Sequence, residues 1–134
     1  MKKLEKVLGS LIEISPDVPV GYISENPLFR ETIKKYTESI GGDFKEVGVA
    51  TYMPNRDDRS VEYVFVEDIA SIENGLSIGY NVLESVGLLI AVVKEPFDIW
   101  EFTKKCGENF LSDPTSIELE DGYHLITSKK LLRS

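Results

Sequence analysis

The chain has 134 residues, 42% of them hydrophobic, and a formal net charge of −8. This predicts one soluble domain over 1–134 and argues against nucleic acid as a partner, because an acidic surface repels phosphates. The single cysteine excludes an intrachain disulfide and indicates a reducing compartment. The longest apolar run, 86–93, is far shorter than the roughly 20 residues that span a bilayer, so we predict a cytoplasmic protein without a membrane partner.

The N-terminal part of the chain predicts a helix, a strand and a second helix. Apolar residues at helical spacing predict a helix over 2–14, and the apolar run over 18–24 predicts a strand. Asn26 is a good N-cap and Pro27 suits the first helical position. We therefore expect the second helix to begin there and to end at Gly41–Gly42.

Two further strands are predicted on either side of a polar loop. Residues 46–53 have the apolar character of a strand, and 61–66 predict a second strand that is largely apolar on both faces. Since the polar loop 54–59 joins the two, we expect them to pair as an antiparallel hairpin.

The segment 69–86 is compatible with two structures. Its apolar residues have helical spacing, but those between Leu76 and Val82 also alternate with a period of two. Gly75 and Gly79 would each weaken a helix by about 1 kcal/mol relative to alanine. The glycines favour the strand, and the helix stays open as the alternative.

The C-terminal half predicts the same order of elements as the first. A strand over 86–93 leads into a helix that begins at Pro96, and two short strands, 116–120 and 123–128, meet at Asp121–Gly122. The predicted fold class is therefore α+β, with a mainly antiparallel, curved sheet, two main helices and an additional N-terminal helix.

This order suggests an internal duplication of a βαββ unit. The two copies would span approximately 18–67 and 86–128 within a single domain. A duplicated unit usually places its binding site in the cleft between the copies.

One sequence pattern is typical of an enzyme. Residues 75–79 have the pattern G-x-S-x-G of a nucleophilic serine, and Asp113 and His124 follow Ser77 in the chain order of α/β-hydrolases. The motif needs a strand running into the serine, whereas Asn74–Gly75 predicts a turn just before it. A small hydrolase is therefore one alternative, and we assign no catalytic residue.

No metal site and no cofactor are predicted. One histidine and one cysteine do not supply the ligands of an ordinary zinc or iron site, and the sequence contains no glycine-rich phosphate loop. Cys106 lies on the apolar side of the predicted second main helix, so we expect it in the core rather than at a reactive site.

Aromatic and acidic residues near the predicted strands and helices are the candidate ligand-binding residues. Aromatic side chains can line a pocket for a hydrophobic guest, and a carboxylate beside them can recognise an organic cation. Glu62 interrupts an apolar strand, and Glu118 has a comparable position in the second half. The predicted set consists of Tyr22, Tyr52, Glu62, Tyr80, Trp100 and Glu118.

The order of elements resembles the gyrase-inhibitor-like, effector-binding family of small-molecule-binding domains. Residues 47–55 and 59–67 are similar to its central hairpin, and 75–100 to its crossover into the second repeat. The segments 26–28 and 95–97 stand where that family has Gly-Pro-Tyr at each helix start. The resemblance implies a cleft between two halves, in which hydrophobic, often cationic molecules bind through aromatics and a buried glutamate.

Three functions follow from these patterns. The first is a stand-alone cytoplasmic domain that binds a hydrophobic or cationic small molecule between the repeats. The second is an acidic protein that engages a basic protein partner or a larger complex without catalytic activity. The third is the small hydrolase. Because no catalytic signature is strong, the sequence favours a binding protein over an enzyme.

Overall fold

A computed structural model describes residues 2–12, 17–24, 28–46, 61–67 and 72–131, and the structural statements refer to these residues. The helices are α1 (Lys2–Leu11), α2 (Arg30–Ser39), α3 (Ile72–Val82) and α4 (Ile99–Glu108). The strands are β1 (Pro19–Ser24), β2 (Asp43–Glu46), β3 (Val61–Glu67), β4 (Leu83–Lys94), β5 (Thr115–Glu118) and β6 (Tyr123–Lys129).

The strands form one sheet in the order β2-β1-β3-β4-β6-β5. Strands β2, β1, β3 and β4 are parallel, and the antiparallel pairs are β4 with β6 and β6 with β5. The predicted mainly antiparallel α+β sheet with two main helices is therefore wrong. Residues 47–53 of the expected hairpin lie outside the described residues. Strand β3, which contains 61–66, pairs with β1 on one side and with β4 on the other, so it does not pair with 46–53 as expected.

Helices cover both faces of this sheet. On one face, α1 and α2 pack through Leu8 and Ile33 on a cluster that contains Phe65 of β3. On the other face, α3 and α4 contribute to a cluster that contains Val64. Successive β3 residues thus enter opposite layers, which explains why that strand is apolar on both sides.

The segment for which the sequence favoured a strand contains helix α3. Residues Leu76, Ile78, Tyr80 and Val82 are all buried. They alternate in the sequence because α3 is covered on several sides, by β1, β3, β4 and α4. A Cβ at Gly79 would lie 2.7 Å from Leu89 Cδ1, so the glycine allows α3 to approach β4 closely.

The C-terminal strand pair agrees with the sequence prediction. Strands β5 and β6 form an antiparallel hairpin. Asp121 and Gly122 both have positive φ angles, 57° and 77°, as a type I′ turn requires. Helix α4 begins after Asp98, whose side chain accepts the Trp100 N–H at 2.9 Å, rather than at Pro96.

The two segments proposed as repeats pair differently. Each contains a strand, a helix and two further strands, but β1, β2 and β3 are parallel whereas β4, β6 and β5 are antiparallel neighbours. The duplication and the single domain over 1–134 stay predictions. Among the described helices, none is both long and apolar enough to cross a membrane.

Candidate active site

The order of the parallel strands defines a crevice at one edge of the sheet. From β1 the chain moves outward to β2, and it then returns to the other side of β1 to form β3. In open α/β sheets, ligands bind outside the carboxyl ends of the strands at such a reversal of strand order. Here Ser24 ends β1, Glu46 ends β2 and Glu67 ends β3.

Glu67 is the buried centre of this edge, with 2% of its surface exposed. Its carboxylate accepts hydrogen bonds from the Tyr22 hydroxyl at 2.9 Å, from the Phe29 N–H at 3.0 Å and from the Leu28 N–H. Burial, followed by the charge of Glu67, raises the pKa of Tyr22 well above its ordinary value. The carboxylate thus binds backbone donors just before α2, a usual place for an anion.

Glu46 is the exposed acidic group of the same edge. Its side chain, 54% exposed, pairs with Arg30 at the start of α2. The hydrogen bond with Glu46 holds the pKa of Arg30 above its ordinary value. The pair links the end of β2 to α2 and leaves much of the carboxylate surface open to solvent.

A second polar pair lies at the carboxyl end of β4. His124 Nε2 is 2.5 Å from Oε1 of Glu95, and the Phe97 ring meets the imidazole edge to face, with ring centres 4.9 Å apart. The imidazole is 14% exposed and the carboxylate 57%. A cavity of about 520 Å³ opens beside them. It is lined by Glu95, Pro96, Phe97, Ile99, Ser116 and His124.

Solved structures with the same arrangement include SAM-dependent methyltransferases, that is, enzymes that use S-adenosylmethionine. A SAM-dependent methyltransferase from Aquifex aeolicus has a TM-score of 0.70 and 10% identity, over 95% of this chain and 89% of that one. The complex of the Trm112 methyltransferase activator with a putative methyltransferase from Haloferax volcanii has a TM-score of 0.68 and 10% identity, over 97% and 95%. The chain has a methyltransferase fold.

A larger enzyme contains the same methyltransferase fold. The 16S rRNA N2 G1207 methyltransferase of T. thermophilus, in complex with AdoMet and guanosine, matches with a TM-score of 0.62 and 10% identity. The match covers 98% of this chain and 39% of that one. No family model and no curated protein matches the sequence.

The methyltransferase fold corrects several sequence predictions. The resemblance to the gyrase-inhibitor-like, effector-binding family is wrong, because a mostly parallel α/β sheet replaces the antiparallel sheet of that family. The expectation of a non-catalytic binding or interaction protein is overturned with it, since solved structures that share this fold include SAM-dependent methyltransferases. The predicted partners, a hydrophobic or cationic small molecule or a basic protein, are wrong as well, since one structure with this fold is in complex with AdoMet and guanosine and another with the Trm112 activator.

The exclusion of nucleic acid from acidic composition is corrected as well. An rRNA methyltransferase shares the fold, and another neighbour is bound to an activator protein. Net charge describes the whole surface, whereas partner choice depends on the local arrangement of groups.

The hydrolase alternative also fails in the structure. Ser77 lies inside α3, not on a turn between a strand and a helix. The Ser112 N–H donates to the Lys129 carbonyl at 2.9 Å, which places the adjoining Asp113 at the far end of β6 from His124. Five residues of extended strand separate the two ends by about 15 Å, so the three residues form no triad.

Two of the predicted ligand-binding residues lie at the carboxyl edge. Tyr22 is buried beneath Glu67, and Glu118 is the last residue of β5, directly opposite His124 in the sheet register. Paired residues of neighbouring strands project from the same face, so Glu118 flanks the imidazole. These positions make Tyr22 a support of the β1–β3 crevice and Glu118 a neighbour of the second polar pair.

The other predicted residues are distributed elsewhere. Glu62 is exposed near the start of β3, and Tyr80 is buried in α3 with the Lys130 Nζ 4.3 Å from its ring centre. Trp100 is 81% exposed on α4, and Tyr52 lies outside the described residues. The six residues as one ligand-binding set stay a prediction.

Sequence reasoning missed the acidic residues that end the parallel strands. Glu46, Glu67 and Glu95 each end or directly follow such a strand. An acidic residue after an apolar run was the available signal, but it points to a site only when the strands are known to be parallel. In the described part of the chain, no group of His, Cys, Asp or Glu residues is arranged to hold a metal ion.

Proposed function

We propose that this protein is an S-adenosylmethionine-dependent methyltransferase that binds the methyl donor at the carboxyl edge of β1, β2 and β3. The observation that carries the proposal is the reversal of strand order between β1 and β3, with Glu46 and Glu67 at its rim, in a methyltransferase fold. Crevices of this kind are the preferred ligand sites of open α/β sheets.

The charge of the edge supports S-adenosylmethionine over a dinucleotide. S-adenosylmethionine carries a sulfonium and an ammonium group, whereas a dinucleotide carries a pyrophosphate. The pyrophosphate needs glycines and backbone N–H groups after the first strand. The segment 24–29 contains no glycine, and Glu67 already accepts the N–H groups of Leu28 and Phe29. Carboxylates at the rim suit the cationic molecule.

The acidic residue at the end of β2 also suits the ribose of S-adenosylmethionine. Glu46 lies at the end of the strand after β1, about 20 residues beyond it, where nucleotide-binding α/β folds place an acidic residue on the ribose hydroxyls. Its carboxylate can accept hydrogen bonds from those hydroxyl groups while Arg30 holds it in place. When bound, S-adenosylmethionine supplies an electrophilic methyl group. We propose the cytoplasm as the location, in keeping with the single cysteine.

Calorimetry with the full chain tests this proposal. We expect saturable binding of S-adenosylmethionine and of its demethylated product, and no binding of NAD at the same concentrations. Glu46→Gln keeps the size of the side chain but removes its charge, and we expect affinity for both adenosyl ligands to fall about tenfold or more. Glu38→Gln, an exposed carboxylate on α2, is the matched control and leaves the affinity unchanged.

Two results would contradict the proposal. One is a folded protein that binds neither adenosyl ligand at millimolar concentration. The other is equal loss of affinity in the Glu46 and Glu38 variants, since that would place the ligand away from the end of β2. Transfer of a labelled methyl group to an acceptor in a metabolite mixture then tests the reaction itself.

A further inference from the structure

The cavity beside His124 has the size and lining of a small-molecule site. Its volume of about 520 Å³ is within the usual range for such pockets. Pro96, Phe97 and Ile99 form an apolar wall, and the polar groups include His124 and Glu95, which contact each other. An apolar pocket with few polar groups placed together is a typical ligand site.

The sheet and its turns hold the backbone of both polar residues in place. The Glu95 N–H donates to the Gly122 carbonyl at 2.8 Å, which ties the end of β4 to the β5–β6 turn. His124 pairs with Val93 of β4 and with Glu118 of β5. His124 therefore lies on a strand that is paired on both sides, not on a loop.

The contact with Glu95 determines which ring nitrogen can accept a proton. A carboxylate accepts a hydrogen bond from Nε2–H, so the neutral imidazole carries its lone pair on Nδ1. Glu95 thus orients the imidazole, and Glu118 lies opposite His124 on the neighbouring strand. A histidine oriented by a carboxylate is the arrangement of a general base.

The cavity lies next to the proposed donor crevice. Glu67 pairs with Val92 of β4, and the following residue, Val93, pairs with His124. One strand therefore separates Glu67 from His124, a backbone separation of about 10 Å. Because Val92 and Val93 are consecutive, the two side chains project from opposite faces of the sheet. A donor and an acceptor would therefore have to meet over the carboxyl ends of the strands, not on one face.

The lining favours a flat acceptor with an acidic hydroxyl group. Phe97, Pro96 and Ile99 offer apolar surface to an aromatic ring. A phenolic hydroxyl has a pKa of about 10 in water, close enough to neutrality for an imidazole to remove its proton during reaction. An aliphatic hydroxyl is far less acidic and gains less from the same base.

We propose that this cavity is the methyl-acceptor site, that it takes an aromatic hydroxyl compound, and that His124 accepts the hydroxyl proton while Glu95 positions the imidazole. The inference rests on the proposed function. In the proton transfer, the O–H bond breaks, an N–H bond forms at Nδ1, and the electron pair stays on the oxygen. The oxygen would then attack the methyl group of a bound donor, the methyl carbon–sulfur bond would break, and its electron pair would stay on sulfur as a neutral thioether.

The experiment uses 4-nitrophenol as the probe and the full chain. Because the sequence has one histidine and one tryptophan, NMR signals of the imidazole report His124 alone, and fluorescence reports Trp100, adjacent to Ile99 in α4. We expect saturable shifts of the imidazole signals, a fluorescence change, and the colour of the phenolate in the bound fraction at a pH where the free probe is protonated.

Three variants locate the effect. His124→Gln abolishes the phenolate colour and weakens probe binding about tenfold. Glu95→Gln reduces the colour while probe affinity changes less than threefold, because the carboxylate positions the imidazole without touching the probe. Glu101→Gln, an exposed carboxylate in the first turn of α4, is the control and leaves both readouts unchanged. Unshifted imidazole signals at millimolar probe, or full colour in His124→Gln, overturn the inference.

Calorimetry on the same samples separates this inference from the proposed function. If S-adenosylmethionine binds and the probe does not shift His124, the acceptor site is wrong and the donor site stands. If the probe binds at His124 and S-adenosylmethionine does not bind, the cavity is a phenol site but not an acceptor site, which overturns both proposals as stated.

Discussion

Glu67 and Glu95 lie at the same edge of the sheet in opposite surroundings. Glu67 is 2% exposed and accepts hydrogen bonds from the Tyr22 hydroxyl and from two backbone N–H groups before α2. Glu95 is 57% exposed and contacts His124 beside an open cavity. Two glutamates therefore have different roles here. The buried carboxylate holds β1, β3 and α2 together, whereas the exposed one contacts His124 beside the cavity.

The difference follows from the free energy of burying charge. A carboxylate withdrawn from water is tolerated when donors replace its hydration, as they do for Glu67. Each described buried side-chain nitrogen or oxygen has a hydrogen-bond partner. Glu95 keeps contact with water and needs no such set of donors. The following changes test this distinction, from the largest expected effect to the smallest.

Removing the buried carboxylate should have the largest effect on stability. Glu67→Ala leaves the Tyr22 hydroxyl and the N–H groups of Leu28 and Phe29 without their acceptor. We expect the free energy of unfolding to fall by about 3–5 kcal/mol, measured by urea denaturation. Glu95→Ala is the matched control and should lose less than about 1 kcal/mol. Equal losses of unfolding free energy in the two variants would contradict the proposed difference between Glu67 and Glu95.

The hydrophobic core around Cys106 should become less stable in alkali. Cys106 of α4 is buried, and burial raises the pKa of its thiol from 9.0 to about 11. The folded protein therefore retains this proton when the unfolded chain has lost it. The free energy of unfolding should therefore be unaffected by the thiol below pH 9 and should fall by about 2 kcal/mol as the pH rises towards 11. Urea denaturation across this range measures it.

A comparison with Cys106→Ala isolates the thiol from other groups that titrate in alkali. The variant should be less stable at neutral pH because of the lost volume, but its stability should fall less steeply between pH 9 and 11. Parallel curves for the two proteins would show that the thiol is not withdrawn from water.

Removing one donor from Glu67 should have a moderate effect. Tyr22→Phe keeps the ring and its packing but deletes the hydroxyl that donates to the carboxylate. We expect a loss of about 1–2 kcal/mol in the free energy of unfolding. Tyr36→Phe, on a half-buried ring of the same layer, is the control. A smaller loss in Tyr22→Phe than in this control would indicate that the carboxylate does not depend on the hydroxyl.

Neutralising the exposed carboxylate should barely change stability. Glu95→Gln is expected to alter the free energy of unfolding by less than about 0.5 kcal/mol, because the side chain is largely solvated. The same variant should reduce the phenolate colour of bound 4-nitrophenol. A large loss of stability would show that Glu95, like Glu67, is needed to hold the fold together, and would contradict the proposed difference between them.

Local sequence patterns predicted several elements because their causes are local. The N-terminal helix, the strand of β1 and the Asp121–Gly122 hairpin follow from apolar spacing and turn chemistry. The identity of α3 did not follow, since burial on several sides makes Leu76–Val82 alternate as a strand would. A helix covered on several sides loses the single apolar stripe that distinguishes it.

The candidate site was less predictable than the elements. The Ser77 pattern suggested catalysis, but its place inside α3 excludes the required turn. The sequence indicated His124 only as the third member of the hydrolase pattern, and Glu95 only as part of a predicted helix start. Their contact joins residues 29 positions apart, and no local pattern reports such a distance.

The sequence by itself determined the positions of most strands and helices, the acidic balance and the strong β5–β6 turn, because these depend on neighbouring residues. The tertiary structure decided that β1 lies between β2 and β3, that Glu67 is enclosed by donors, and that Glu95 meets His124. Strand order and long-range contacts arise from the packing of helices on both faces of the sheet. That packing is a property of the whole chain, and it created the edge at which the proposed chemistry takes place.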